Sequence, residues 1–303
     1  MFDTVTLVAF DIDINPNRLN GIIPFTYLND AGEYISKYTF TKEKIKYEYS
    51  LQKRFLKIEF SIPKLIYSTN TKIITESDIE GFWSKLYNTL HKHLSIYINK
   101  EQWIVKRLDV SYNFKVDDVG EYIKEISKKT ISKKTKITYN ENETVIFKNK
   151  SSSICFYDKE KECINGKEPK EVIEQAKGIL RLEIRPSTYH IREYSHKKRA
   201  IDLITREFFT YIIGRFNVNE LLKFQDEQNR NELFKALNVM KVADIEKVIA
   251  FNRIVEIVGE KTLIEKGYYK DGTFRNRKEL VAEYNKNINQ KGTKQKQLYI
   301  KLG

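Results

Sequence analysis

The chain has 303 residues, 41% of them hydrophobic, with a formal net charge of +13 and a pI near 9.3. That length allows one large domain or two ordinary ones, and that apolar content excludes wholesale disorder. The cationic excess points to a polyanionic partner, although an AT-rich genome would also enrich lysine.

Residues 4–14 alternate as a strand and end in Asp11-x-Asp13, which reads as a metal pair or as solvated turn formers. Residues 26–60 read as several antiparallel strands with alternating aromatics, and Pro63 closes the strand that carries Glu59. Ser77-Asp78-Ile79-Glu80 has the spacing of a capping box. Behind it Ile79, Phe82, Trp83, Leu86 and Leu90 make the core face of a helix. Residues 102–114 return to strand, and Val119, Tyr122, Ile123 and Ile126 mark a short helix. A cationic run over 128–136 enters a hairpin whose turn lies near 140–142. Residues 168–177 form a short helix between Pro169 and Gly178.

After Pro186 the pattern becomes helical. It predicts one long helix over 197–216, further helices over 218–224, 231–237 and 242–258, a glycine-bounded turn over 267–277, and a last basic helix over 278–289. The expected fold is α+β: a mostly antiparallel sheet with helices packed on it over 1–194, then a smaller all-helical, DNA-binding domain over 195–303. No stretch reaches the roughly 18 apolar residues of a membrane span, and no leader pattern opens the chain. The expectation is therefore a soluble cytoplasmic protein. Cys155 and Cys163 have no metal-site spacing, and Cys155, in an apolar run, is expected inside.

Three strands repeat one pattern, basic then acidic on a single face. They carry Lys57 and Glu59, Arg107 and Asp109, and Arg181 and Glu183 followed by Arg185. Cross-strand ion pairs on a solvated face explain such a pattern by themselves. The segment Ile154-Cys155-Phe156-Tyr157-Asp158-Lys159-Glu160-Lys161-Glu162 adds a tyrosine at the end of a short apolar run. A tyrosine can attack a phosphodiester and hold the cut end as a phosphotyrosine ester. A hard cation such as Mg²⁺ or Mn²⁺ would take Asp109 and Glu183 as ligands, with Glu59 as an outside candidate. Lys159 or Arg181 would hold non-bridging oxygens. Lys133, Lys134, Lys148 and Lys150 flank the hairpin and suit backbone contacts with DNA. His91-Lys92-His93 reads as a solvated helix end rather than a ligand pair, and His190 and His196 as surface residues. The sequence has no Walker A, dinucleotide or serine-triad signature.

Residues 1–7, 55–63, 107–109, 156–162 and 180–186 together resemble phage/plasmid replication initiators of the gene II/X type. Tyr157, Lys159 and Glu162 also resemble the Tyr-x-Lys-x-x-Glu signature of initiators of small rolling-circle plasmids. The resemblance implies a metal-dependent endonuclease and strand transferase that nicks a single strand, or a hairpin, at a replication origin. Tyr157 would be the nucleophile, Lys159 and Glu162 supporting groups, and Asp109 and Glu183 metal ligands. Arg107, Arg181 and Arg185 would be phosphate or ion-pair partners. A host helicase and polymerase would extend the 3′ end, and a homodimer is open. Arg275 and Arg277 belong to the DNA-binding tail. Two alternatives stand beside this reading: a DNA-binding regulator without chemistry, and a relaxase-like protein of conjugative transfer.

Overall fold

The structure, a computed structural model, describes residues 1–140, 143–223, 227–288, 298 and 300, with the main chain alone at 227–232 and 288. Ten strands among these residues join one sheet: β1 (Phe2–Ala9), β2 (Phe25–Leu28), β3 (Tyr34–Lys42), β4 (Ile45–Ser50), β5 (Phe55–Ser61), β6 (Ile104–Lys115), β7 (Thr135–Tyr139), β8 (Thr144–Lys148), β9 (Ser153–Asp158) and β10 (Ile179–Arg185). Their order is β2-β3-β4-β5-β1-β6-β10-β9-β8-β7, and every pairing is antiparallel. The α+β expectation is met.

Alternation gives the sheet two unlike faces. One carries Val5, Leu7, Leu56, Ile58, Leu108, Val110, Phe156, Leu180, Leu182 and Ile184, all fully buried. Helix α1 (Ile62–Tyr67) leads to α2 (Ile79–Leu94), which covers this face by stacking Phe82 on Phe60 at 6.2 Å. Each such buried ring contributes about 1.5–3 kcal/mol by area. The other face holds the charged residues.

The strand order contains a repeat that the sequence shows only as an echo. The half β2-β3-β4-β5-β1 has the same internal plan as β7-β8-β9-β10-β6, and the two meet where β1 pairs with β6. Register makes Lys57, paired with Glu48, the counterpart of Arg181, paired with Tyr157. It makes Glu59, opposite Thr6, the counterpart of Glu183, opposite Ser111. Loops of different length between the strands remove any fixed period.

Elsewhere the chain carries α3 (Val119–Ser127), α4 (Lys159–Asn165), α5 (Lys170–Ala176), α6 (Thr188–Tyr194), α7 (Ala200–Leu203), α8 (Arg206–Arg215) and α9 (Val218–Leu221). Then follow α10 (Glu227–Val239), α11 (Val242–Val258), α12 (Glu260–Glu265) and α13 (Asp271–Ile288). Several expectations shift. The capping box is Thr75 with Asp78, two residues upstream of the predicted Ser77. Pro63 sits in the first turn of α1, where its missing N–H costs nothing, and Ser61 ends the strand by capping that helix. The long helix over 197–216 is two helices, because Thr205 leaves helical geometry and accepts from the Phe208 amide at 3.2 Å. The predicted turn at 267–277 is already helical from Asp271, which places Arg275 and Arg277 on α13.

Residues Met1–Leu222 with Leu298–Gly303 form one compact unit and Lys223–Gln297 a second, so the packing does not divide at 194/195. Helix α8 belongs to the sheet unit because Phe209 packs edge-on against Phe2 at 6.4 Å. In the second unit Phe251 packs against Tyr269 at 5.6 Å and Phe274 at 5.4 Å.

Candidate active site

Cross-strand register brings the main candidates together on the polar face. Arg181 lies opposite Tyr157 on β9 and Asn113 on β6, and Glu183 follows two residues along β10. The half-buried Tyr157 hydroxyl donates to Glu183 Oε1 at 2.6 Å. Arg181 is fully buried and serves as the hub. Its Nη2 donates to Asp3 Oδ2 at 2.9 Å, and its Nη1 to the Asn70 carbonyl at 2.8 Å and Asn113 Oδ1 at 3.1 Å. Its Nε lies 3.4 Å from Glu183 Oε1 but out of line, so that N–H has no hydrogen-bond partner among the described residues, and neither has the buried Ser111 hydroxyl.

Electrostatics follow from this packing. Burial, and then the Asp3 charge, push the Glu183 carboxyl up to about 7. Burial works the same way on Asp3, but the Arg181 guanidinium and the Ser61 hydroxyl outweigh it and hold Asp3 below the usual carboxylate range. Burial, followed by the Glu183 charge, raises the Tyr157 phenol well above its ordinary value, with Arg181 opposing. A cation this deep is tolerated because both acids and two carbonyl groups surround it.

The support behind the tyrosine is equally ordered. Lys159 is fully buried, donates to Asn70 Oδ1 at 3.0 Å and Glu162 Oε2 at 2.6 Å, and lies 5.8 Å from the Tyr157 ring centre. Asp158 starts α4 by accepting from the amides of Glu160 at 3.0 Å and Lys161 at 3.3 Å. Tyr157 and Glu183 open onto a cleft of about 260 Å³ that Glu143, Asp158, Lys161 and Glu162 also line.

The carboxylates expected as metal ligands each have other partners. Asp109 is held between Arg107, at 3.0 Å from Nε, and Arg185, at 3.2 Å from Nε. Glu59 accepts from Thr6 at 2.9 Å and faces Lys46 and Arg107 at 3.6 and 3.9 Å. Glu183 is engaged with Tyr157 and Arg181. Among the described residues no group of three His, Cys, Asp or Glu could hold one ion. On the Asp109–Glu59 side, then, the ion-pair reading of the charged strands holds.

Arg181 is too buried to lie on a DNA-contact surface, and Arg107 and the half-exposed Arg185 are ion-paired. Lys134 donates to Ser152 Oγ at 2.6 Å and lies over the Phe216 ring. Lys133, Lys148, Lys150 and Arg275 are exposed, and Arg277 is half-exposed. The hairpin tip at 141–142 lies outside the described residues. Asp13 pairs with Arg54 at 2.7 Å, which makes Asp11-x-Asp13 a turn. His93 is buried, not solvated, and shares a hydrogen bond of 2.6 Å with Tyr47. Cys155 is half-buried and Cys163 is the buried thiol.

Sequence reasoning missed Asp3, Asn70 and Asn113. The signal for Asp3 is an acid at the start of a largely apolar strand, Phe2–Ala9, which is buried on both faces. Nothing local marked Asn70, whose value lies in bridging Arg181 and Lys159 from the loop after α1.

A phenol, a carboxylate and a guanidinium thus meet on the polar face of an antiparallel sheet, in a strongly basic chain suited to a polyanionic partner. Residues 35–233, about two thirds of the chain, match the N-terminal region of the phage replication-associated protein family of the gene II type, and the chain belongs to that family. It is thus a phage-type replication initiator. β1, with Asp3, precedes the matched segment. No curated protein matched at a significant level. Among the described residues no helix is long and apolar enough to cross a membrane.

Proposed function

We propose that this initiator nicks and rejoins one DNA strand at a replication origin through a 5′-phosphotyrosine ester on Tyr157. The observation that supports this reading most is the 2.6 Å hydrogen bond from Tyr157 to Glu183, beside the buried Arg181. A phenol held this far above neutrality does not ionise unaided. Glu183, near 7, is matched to take its proton as the phenolic oxygen attacks phosphorus. The bond from phosphorus to the 3′ oxygen breaks, and the leaving oxygen receives a proton returned by Glu183. Arg181 offsets the charge on the phenolate, and its free Nε–H, 3.4 Å from Glu183 Oε1, is a donor to that oxygen as the carboxyl turns. Reversal closes the strand.

Lys159, Asn70 and Glu162 are positioning residues: they fix the start of α4 under the tyrosine ring. In this proposal no step runs through Mg²⁺ or Mn²⁺, since among the described residues no three His, Cys, Asp or Glu gather around one point. In this proposal the exposed lysines by the hairpin and the α10–α13 unit contact DNA, and host helicase and polymerase extend the free 3′ end.

The test is incubation with supercoiled origin plasmid, in arms with Mg²⁺, Mn²⁺ or chelator. The expected result is nicked circles with protein on the 5′ end, absent for Tyr157→Phe. Nicks without attached protein, or an adduct that persists in Tyr157→Phe, would overturn the assignment.

A further inference from the structure

At the start of β6, away from the tyrosine, lie three cations whose side chains have no partner among the described residues. Between Thr6↔Arg107 and Leu7↔Val105 the pairing of β1 with β6 slips, which leaves Lys106 as the extra residue of a bulge. The other side of β6 is taken here by the loop between α6 and α7. The Val105 amide donates to the Lys198 carbonyl at 2.9 Å, Ile104 bridges to Arg199, and the Ala200 amide donates to the Trp103 carbonyl at 2.8 Å. Lys198 is thereby held beside the bulge with φ +53°, a left-handed conformation that lysine adopts only when its surroundings impose it.

Arg192, at the end of α6, completes the group. Lys106 and Arg192 act on Lys198 as like charges and, after burial, lower its pKa. Asp202, which lies within reach of the loop, is taken by Arg199 at 3.0 and 3.1 Å and by Ser195 at 3.0 Å. Among the described residues the side chains of Lys106, Arg192 and Lys198 make no ion pair or hydrogen bond. Cations brought together by main-chain pairing and a bulge suit an anion.

We infer that Lys106, Arg192 and Lys198 form a binding site for DNA backbone phosphates, separate from the Tyr157 site and used to hold the flank of the origin. This rests on the replication-initiator reading for the choice of DNA as the polyanion. Along β6 the six residue steps from Val105 to Ser111, which lies opposite Glu183, span about 20 Å. One B-form strand has roughly six phosphates over that distance. The cluster would therefore grip duplex outside the reacting nucleotide, fixing register rather than taking part in chemistry.

The test is a salt titration of binding between about 50 and 200 mM, using the full chain and a short fluorescent duplex in chelator, so that no cleavage intervenes. The triple variant Lys106→Gln, Arg192→Gln, Lys198→Gln is compared with a control triple, Lys53→Gln, Lys85→Gln, Lys170→Gln, at exposed positions on other elements. The cluster variant is expected to lower the slope of log K against log salt by roughly 2.7, about 0.9 per charge. The control slope should stay near wild type. The cluster variant should melt no lower than wild type, because repulsion has been removed. An unchanged slope, or an equal fall in the control, overturns the inference, as does loss of binding to anionic lipid vesicles with DNA affinity intact. Absence of nicking in the plasmid assay would defeat the Tyr157 proposal and leave this measurement standing.

Discussion

Tyr157 and Glu183 stand on adjacent antiparallel strands, offset by one pleat, with the phenol donating to the carboxylate at 2.6 Å. Glu183→Gln keeps the shape and removes the base. Single-turnover adduct formation should fall by about 10²–10⁴-fold, with the Tm within a few degrees of wild type. An adduct rate within a few-fold of wild type would remove Glu183 from the chemistry.

The pH profile follows from the direction of the Glu183 shift. Its carboxyl is raised by burial and then by Asp3, to about 7. Below that pH it is protonated and cannot accept the phenolic proton; above it, it can. Adduct formation should rise with pH and level off above about 7. Asp3→Asn removes one of the two leading causes and should move the midpoint to lower pH. A midpoint that moves upward, or a flat profile, would contradict the assignment.

Asp109 gives the sharpest contrast with a shared metal site. Its oxygens are occupied by Arg107 and Arg185. Asp109→Asn should keep adduct formation within about tenfold of wild type, since it touches no atom of the Tyr157 site, whereas Glu183→Gln should not. Equal losses, both relieved by raising Mn²⁺, would show that the two carboxylates hold one ion after all.

Arg181 should dominate stability. Arg181→Met leaves Asp3 and Glu183 facing each other without their buried counter-charge, and removing one partner of such a network costs about 3–5 kcal/mol. The urea midpoint reads this directly. A midpoint equal to that of wild type would mean that the network is not built as described.

Gly178 joins α5 to β10 at φ +67°, and a Cβ there would lie 2.9 Å from the Val116 carbonyl oxygen. Gly178→Ala should destabilise by more than the roughly 0.4–1 kcal/mol that such a change gains at an unstrained position. It should also slow adduct formation, because this turn sets the register of Arg181 and Glu183. Wild-type stability would show that the turn relaxes freely.

Local signals reached local features. The apolar spacing over Val242–Val258 bounds its helix, and basic-acidic alternation found β5, β6 and β10. The placement of Tyr157 with Glu183 was legible because both strands carry their own period, and only the pairing had to be supplied. Asp3 was not legible, since it meets Arg181 across 178 residues of sequence. That contact exists only because β1 and β10 flank β6, which strand order decides and no window of sequence displays. Nor does the alternation that makes Asp109 and Glu183 candidate ligands show what else each carboxylate meets. Asp109 and Glu183 share a face, but Arg185 extends that row and closes on Asp109 first. The broken helix at Thr205 and the displaced capping box at Thr75 show hydroxyl residues two or more positions apart competing for one role, which hydrogen-bond geometry settles and spacing does not.

The two five-stranded halves bear on symmetry breaking. A pair of identical subunits would present two tyrosines or none at equivalent places. Within one polypeptide the equivalent places have parted: Tyr157 stands in one half and Glu48, ion-paired to Lys37 and Lys57, in the other. The two halves are thus alike in strand plan and unlike in chemistry: a phenol bonded to Glu183 in one, an acid held by two lysines in the other.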